Sequence, residues 1–275
     1  MSRLWRDQIQ VFFAPERVDL VRSSHGFKPV QAPKMVTRCE RHLNAPIWEA
    51  PLLQLDQMVR GAAGTEMVIT LSNHFIRYVT LPPQPEIATP DEVYTYATFR
   101  MREIYADRMN EWMLSVSAWS PDGGAVCAAI AGDLMARLEE MTQRYKIKLN
   151  NVESYLASAF DRWHPLFDHK QICFVLIETG RICIVFLVNG VWQGIRNQKI
   201  LHDVESELLA ALDQEAVLSG YKKTVESVYL FAPEHSGLVL PDDCGWRVVP
   251  IQTETITVPA HYPAIAVTDE EKAGA

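Results

Sequence analysis

The residues of this 275-residue chain that could do chemistry are few and scattered. Glu178-Thr179-Gly180-Arg181 is the densest cluster, a carboxylate, a hydroxyl, a glycine and a cation in succession. Glu178 can reach a metal ion, but one carboxylate beside one glycine makes a weak site. His164 and His169 lie near Asp161 and Asp168, beside Pro165. That setting reads as polar linker, and no metal site is expected. Ser23-Ser24-His25 has no oriented acid and is not a triad. His74 follows Asn73 in a turn, where both residue types tolerate unusual backbone angles, and reads as structural. HExxH, GxSxG and P-loop patterns do not occur. No catalytic residue is assigned. Arg77, Arg100 and Arg102 carry two readings, surface charge or a binding face for an acidic or carboxylate-bearing partner.

The Glu178 cluster lies in the stretch Gln171 to Arg196, which reads as three consecutive antiparallel strands. Its β-branched residues suit a pleated surface. The first turn is Glu178-Thr179-Gly180 and the second Asn189-Gly190, the strongest short hairpin signal. The first two strands are apolar almost throughout, so both faces should be covered. A second hairpin is expected over Ile9 to Arg22, turning at Ala14-Pro15-Glu16, and a third over Met67 to Leu81, turning at Ser72-Asn73. Between them, the basic residues Lys28, Lys34, Arg38 and Arg41 read as a solvated loop, and Pro51 to Arg60 as a short helix ended by Gly61.

Helix signals follow. Thr89 with Pro90 and Glu92 forms a capping box, and Val93, Ala97, Met101 and Ile104 recur at helical spacing. Trp112 to Trp119 and Ala125 to Ala131 read as strands around Asp122-Gly123-Gly124. Asp133 is expected to cap a helix with Leu134, Leu138, Met141 and Tyr145 on its core face, and Val152 to Trp163 reads as another helix. His202 to Gly220 reads as a long helix capped by Asp203, followed by strands over Val225 to Phe231 and Trp246 to Ile251. Each half opens with an apolar hairpin and goes on to helices, which suggests a duplicated α/β architecture.

Composition bounds the function. A net charge of −8 argues against nucleic acid or an anionic membrane as partner. Trp112, Trp119, Trp163 and Trp192 are too scattered for a base-stacking platform. No apolar run approaches the roughly 20 residues needed to cross a bilayer. Met1 to Gln10 has no apolar core, so no signal peptide is expected. The five cysteines, Cys39, Cys127, Cys173, Cys183 and Cys244, read as reduced thiols of a cytoplasmic protein. Cys173 and Cys183 flank the first turn and could be diagonal neighbours, as two small core residues.

The order of these pieces resembles the PilM-type actin-like proteins of type IV pilus assembly, in the actin, FtsA and Hsp70 superfamily, with GspL-type secretion proteins as wider relatives. Ile9 to Arg22 and Gln171 to Arg196 are similar to the two phosphate hairpins. Met67 to Pro82, Thr89 to Tyr105 and Trp112 to Trp119 resemble the inserted subdomain, and Asn151 to Trp163 the helix closing the first half. The resemblance implies an α/β, actin-like (ribonuclease H-like) two-lobe fold with an inserted small subdomain in the first lobe. Residues 1–66 would open the first lobe, 67–131 form the subdomain, 132–165 close the lobe, 166–265 form the second lobe and 266–275 a flexible tail.

Departures from the family pattern decide the expected chemistry. The first hairpin reads Val11-Phe12-Phe13-Ala14-Pro15, without the acid for Mg²⁺ or the glycine for phosphate, and Pro15 has no N–H. Glu178-Thr179-Gly180 replaces Asp-x-Gly, and Phe231-Ala232-Pro233 replaces the Gly-Gly adenine turn. The resemblance therefore leaves Glu178, Thr179, Gly180 and Arg181 as a degenerate nucleotide site. It implies no cofactor and a non-catalytic scaffold at the cytoplasmic side of an inner membrane. Its partner would be the cytoplasmic tail of a PilN-like protein, gripped by Arg77, Arg100 and Arg102, with a pilus or secretion ATPase as a further partner. Two alternatives remain: an active ATPase that uses Glu178 for Mg-ATP, and an unrelated α/β binding protein.

Overall fold

In the computed structural model, residues 6–24, 30–40, 44–167, 171–219, 227–235, 237–241 and 243–251 are described. The expectations for His25, Lys28, Arg41, Asp168, His169, Gly220, residues 225–226 and the tail 266–275 lie outside the described residues. The chain divides into two units, Met1–Leu166 and Phe167–Ala275.

The first unit begins with β1 (Gln8–Ala14) and β2 (Arg17–Ser24), antiparallel about a Pro15-Glu16 turn. Two short strands, β3 (Val30–Gln31) and β4 (Met35–Arg38), pair with β2, and α1 (Glu49–Met58) packs against it. Then β5 (Glu66–Leu71) adds to β1 in parallel. The next strand, β6 (Ile76–Leu81), does not pair with β5. This corrects the expected hairpin over Met67 to Leu81. The apolar β5 is flanked on both sides, by β1 and by β9 (Lys148–Ser154), and has no free edge for β6.

After β6 come α2 (Pro90–Tyr105), β7 (Trp112–Val116), β8 (Ala125–Ala131) and α3 (Gly132–Arg144). The strands form a separate three-stranded sheet, β6-β8-β7. Ala125, Cys127 and Ala129 alternate along β8 and pack with Val79 and Leu81 against Ala97 and Met101 of α2. The capping box forms as expected: Thr89 accepts from the Glu92 N–H and the Glu92 carboxylate accepts from the Thr89 N–H at 2.9 Å. Ile104, expected on the core face, is exposed. Asp133 does not cap α3; the N-cap is Ala131, and Asp133 lies in the first turn, where its charge suits the dipole.

Residues 152–154 are strand, not helix, because β5 needs a hydrogen-bonded neighbour on its second edge. The helix starts later, as α4 (Tyr155–Trp163), capped by the Ser154 hydroxyl, which accepts from the Ala157 N–H at 3.1 Å. A second acceptor comes from far away. The fully buried Asn73, in the turn after β5, accepts at Oδ1 from the Leu156 N–H at 3.3 Å and the Tyr78 hydroxyl at 2.6 Å. One amide thus joins the three-stranded sheet to the first turn of α4.

The second unit is a meander of β10 (Gln171–Glu178), β11 (Arg181–Val188) and β12 (Val191–Lys199). It continues through α5 (Val204–Ser219) to β13 (Ser227–Phe231) and β14 (Val248–Ile251), both added in parallel. Asn189 and Gly190 both have positive φ, 53° and 80°, as the Asn-Gly hairpin requires. Strand order is β12-β11-β10-β13-β14 here and β3-β2-β1-β5-β9 in the first unit. The central strand in each is the first of its hairpin, so the duplication is one of topology. Cys173 packs on the α5 side with Val175 and Ile177, whereas Cys183 pairs with Leu176 on the opposite face. The two thiols are therefore not neighbours, and all five cysteines are free.

Candidate functional site

The turn of the second hairpin places its residues by register alone. Glu178 and Arg181 are cross-strand partners, so Thr179 and Gly180 form a two-residue turn with positive φ, 73°, at Gly180. Strand alternation puts Glu178 and Arg181 on the face away from α5, with Cys183 two residues on. Both side chains are buried, at 3% and 5% exposure. Arg181 donates to Asn197 Oδ1 on β12 at 2.9 Å. Burial pushes the Cys183 thiol well up, the Glu178 charge adds to this, and Arg181 partly opposes it.

The exposed tip of the turn faces a residue that sequence reading missed. Glu234 lies three positions past the end of β13, and its Oε2 accepts from the Thr179 N–H at 2.6 Å and the Thr179 hydroxyl at 2.5 Å. Phe231-Ala232-Pro233, read from the sequence as replacing a Gly-Gly adenine turn, leads directly into this carboxylate. The parallel pairing of β13 with β10 brings the two segments together across 55 residues of sequence. No local pattern could have signalled that.

The first hairpin differs. Its turn, between Ala14 and Arg17, consists of Pro15 and Glu16. A buried acid does exist nearby: Asp19, opposite Phe12 on β2, pairs with Lys34 at 2.8 Å and Arg17 at 3.5 Å. Lys34, read from sequence as part of a solvated basic loop, is therefore a partner of a buried carboxylate. Arg17 also lies over the Phe12 ring at 5.2 Å, and Phe12 meets Tyr155 edge-on. This face is filled by aromatic and ionic side chains of the chain itself.

The candidate partner-binding arginines share one region without forming one cluster. Arg77, on β6, donates to the Ile76 carbonyl at 2.9 Å, and its charge is felt at the Tyr105 hydroxyl. Arg100 is paired with Glu103 at 2.6 Å, and Arg102 is exposed in the last turn of α2. Among the other residues weighed, the His74 N–H donates to Ser72 Oγ at 3.3 Å, and Ser24 Oγ donates to the Val30 carbonyl at 3.3 Å. Trp112 and Trp119 pack edge-on against Tyr105 and Tyr96, and Trp163 is fully buried. Among the described residues no group of three His, Cys, Asp or Glu could hold a metal ion, and no helix is long and apolar enough to cross a membrane.

No family model and no curated protein sequence matches the chain. Solved structures do. A chain of a PilM-PilN type IV pilus biogenesis complex matches with a TM-score of 0.64 at 14% identity, covering 91% of this chain and 89% of that one. A Bacteroides thetaiotaomicron protein with an actin-like ATPase fold and unknown function matches with a TM-score of 0.58 at 7% identity, covering 91% and 94%. The cytoplasmic domain of EpsL, an inner-membrane component of the type II secretion system of Vibrio cholerae, matches with a TM-score of 0.55 at 8% identity, covering 90% of each. The chain thus has the actin-like fold of two lobes, and is similar along nearly its whole length to a PilM-PilN complex chain.

Proposed function

We propose that this chain is a non-catalytic, actin-like scaffold at the cytoplasmic side of a type IV pilus or type II secretion assembly platform. It binds the short cytoplasmic tail of an inner-membrane partner resembling PilN. The observation that carries the reading is the likeness, over 91% of the chain, to a protein from a PilM-PilN complex. The non-catalytic part is supported by the first hairpin. Tight nucleotide binding calls for convergent backbone N–H donors and a metal carboxylate. The Pro15-Glu16 turn offers an imide nitrogen without a proton, and phenylalanines stand at positions 12 and 13.

In this reading the tail docks in the groove expected between the first lobe and the subdomain of residues 67–131. Apolar anchors hold it, and arginines such as Arg77, Arg100 and Arg102 orient it by charge-assisted hydrogen bonds. A short tail buries little area, so a small central cluster carries most of the affinity. The test is capture of a synthetic peptide carrying the cytoplasmic tail of a PilN-like single-span membrane protein. The double variant Arg77→Glu with Arg100→Glu should fold like wild type by circular dichroism. Removing the Arg100–Glu103 pair costs about 0.5 kcal/mol and losing the Arg77 bond to the Ile76 carbonyl about 1 kcal/mol, small beside the stability of a chain this size. The variant should nevertheless lose capture of the tail. A folded double variant that captures the tail as well as wild type overturns this placement of the site.

A further inference from the structure

The Thr179–Gly180 turn is already holding an anion, and that anion belongs to the chain. A single oxygen, Glu234 Oε2, takes both the backbone N–H and the side-chain hydroxyl of Thr179, at 2.6 and 2.5 Å. Two convergent donors on one carboxylate oxygen are charge-assisted and short, the geometry by which a turn grips an oxyanion. The segment that carries Glu234 is itself fixed. The His235 N–H donates to the Ala232 carbonyl at 3.0 Å and the Leu238 N–H to the His235 carbonyl at 2.9 Å. Leu238 and Leu240 then pack into the α5 core. The carboxylate is therefore presented from a built loop on one side to a turn set by strand register on the other.

We propose that Glu234 is a built-in anion that fills the oxyanion position of the Thr179–Gly180 turn, and that phosphate can enter this turn only when the Glu234 side chain is absent. Such occupation in cis raises the local concentration of the carboxylate far above that of any free anion, so wild type excludes phosphate by keeping its place taken. The Glu234–Thr179 contact is a property of the turn alone. It stands whether or not the chain serves a pilus platform, and whether or not Mg-ATP binds elsewhere.

The test follows the Thr179 and Gly180 amide resonances of the full ¹⁵N-labelled chain while inorganic phosphate is added, with sodium chloride at matched ionic strength as control. The variants are Glu234→Ala, Glu234→Gln and Glu234→Ala with Thr179→Val. In wild type the two amides should stay still. In Glu234→Ala they should move at least tenfold further, and saturably, as phosphate rises to about 100 mM. Glu234→Gln keeps an amide oxygen in place and should respond less than Glu234→Ala. Thr179→Val in the Ala background should remove most of the response. Equal movement in wild type and Glu234→Ala overturns the proposal, as does no movement in Glu234→Ala, or an equal response to chloride. Micromolar binding of Mg-ATP by wild type would instead overturn the non-catalytic reading, so the two failures are distinguishable.

Discussion

Asn73→Ala should unseat the joint between the three-stranded sheet and α4. The amide oxygen of Asn73 is the acceptor for two buried groups, the Tyr78 hydroxyl at 2.6 Å and the Leu156 N–H at 3.3 Å. Tyr78 and Leu156 are 6% and 3% exposed, so water cannot take the place of the lost oxygen without rearrangement. Each orphaned donor costs about 1–3 kcal/mol. The longer bond to Leu156 belongs at the low end, which gives a destabilisation of about 2–4 kcal/mol. Tyr78→Phe removes one donor and leaves Asn73 on Leu156, for a loss of about 1 kcal/mol. Combining the two should cost less than their sum, since phenylalanine removes the hydroxyl that Asn73→Ala orphans. The coupling should reach about 1 kcal/mol or more. Urea unfolding followed by fluorescence reads this directly, because Trp163, at the end of α4, is fully buried. A single variant that loses less than about 0.5 kcal/mol, or a strictly additive cycle, would refute the reasoning.

Glu66 is held in its ionised form chiefly by Asn150, which donates to it at 2.6 Å, and further by Lys148 and Arg6. Its folded pKa therefore lies below the unfolded value, so this stabilisation is present above the unfolded pKa and lost as pH falls through the folded one. Glu66→Gln should flatten the acid limb of a stability-pH curve; an unchanged limb would contradict this. Burial pushes the Cys127 thiol up to about 12 and the Cys39 thiol to about 11, so at pH 8 both should resist iodoacetamide until the chain unfolds, as peptide mapping would read. A Cβ at Gly124, whose φ is 69°, would lie 2.1 Å from the Leu81 carbonyl oxygen, so Gly124→Ala should lower stability by about 2 kcal/mol or more in a denaturant titration.

What could be read from the chain was what local chemistry dictates. The Pro15-Glu16, Thr179-Gly180 and Asn189-Gly190 turns and the Thr89 capping box lie where their residue types require them. What could not be read depends on partners distant in sequence. Residues 152–154 are helical by pattern, yet β5 recruits them as a parallel strand. The same strand gives up β6, because its two edges are taken by β1 and β9. Parallel pairing leaves no turn signal, only apolar runs that fit either a sheet centre or a helix. At the site, the hairpin and Glu178 were legible, but no local pattern marks Glu234, which only the β10–β13 register brings onto Thr179. The Asp19–Lys34 pair was hidden for the same reason, since the strand that flanks Lys34 pairs back onto β2.

The central claim, an actin-like fold that has given up its nucleotide chemistry, meets its most direct test in a calorimetric titration of Mg-ATP into the full chain. A Pro15-Glu16 turn with no glycine and no N–H on Pro15, a nearby Asp19 carboxylate tied up by Lys34 and Arg17, and a Thr179–Gly180 turn already filled by Glu234 predict no saturable binding tighter than about 1 mM, about −4 kcal/mol. A micromolar, Mg²⁺-dependent isotherm abolished by Glu178→Ala would contradict the account and install Glu178 as the metal carboxylate of a working ATPase.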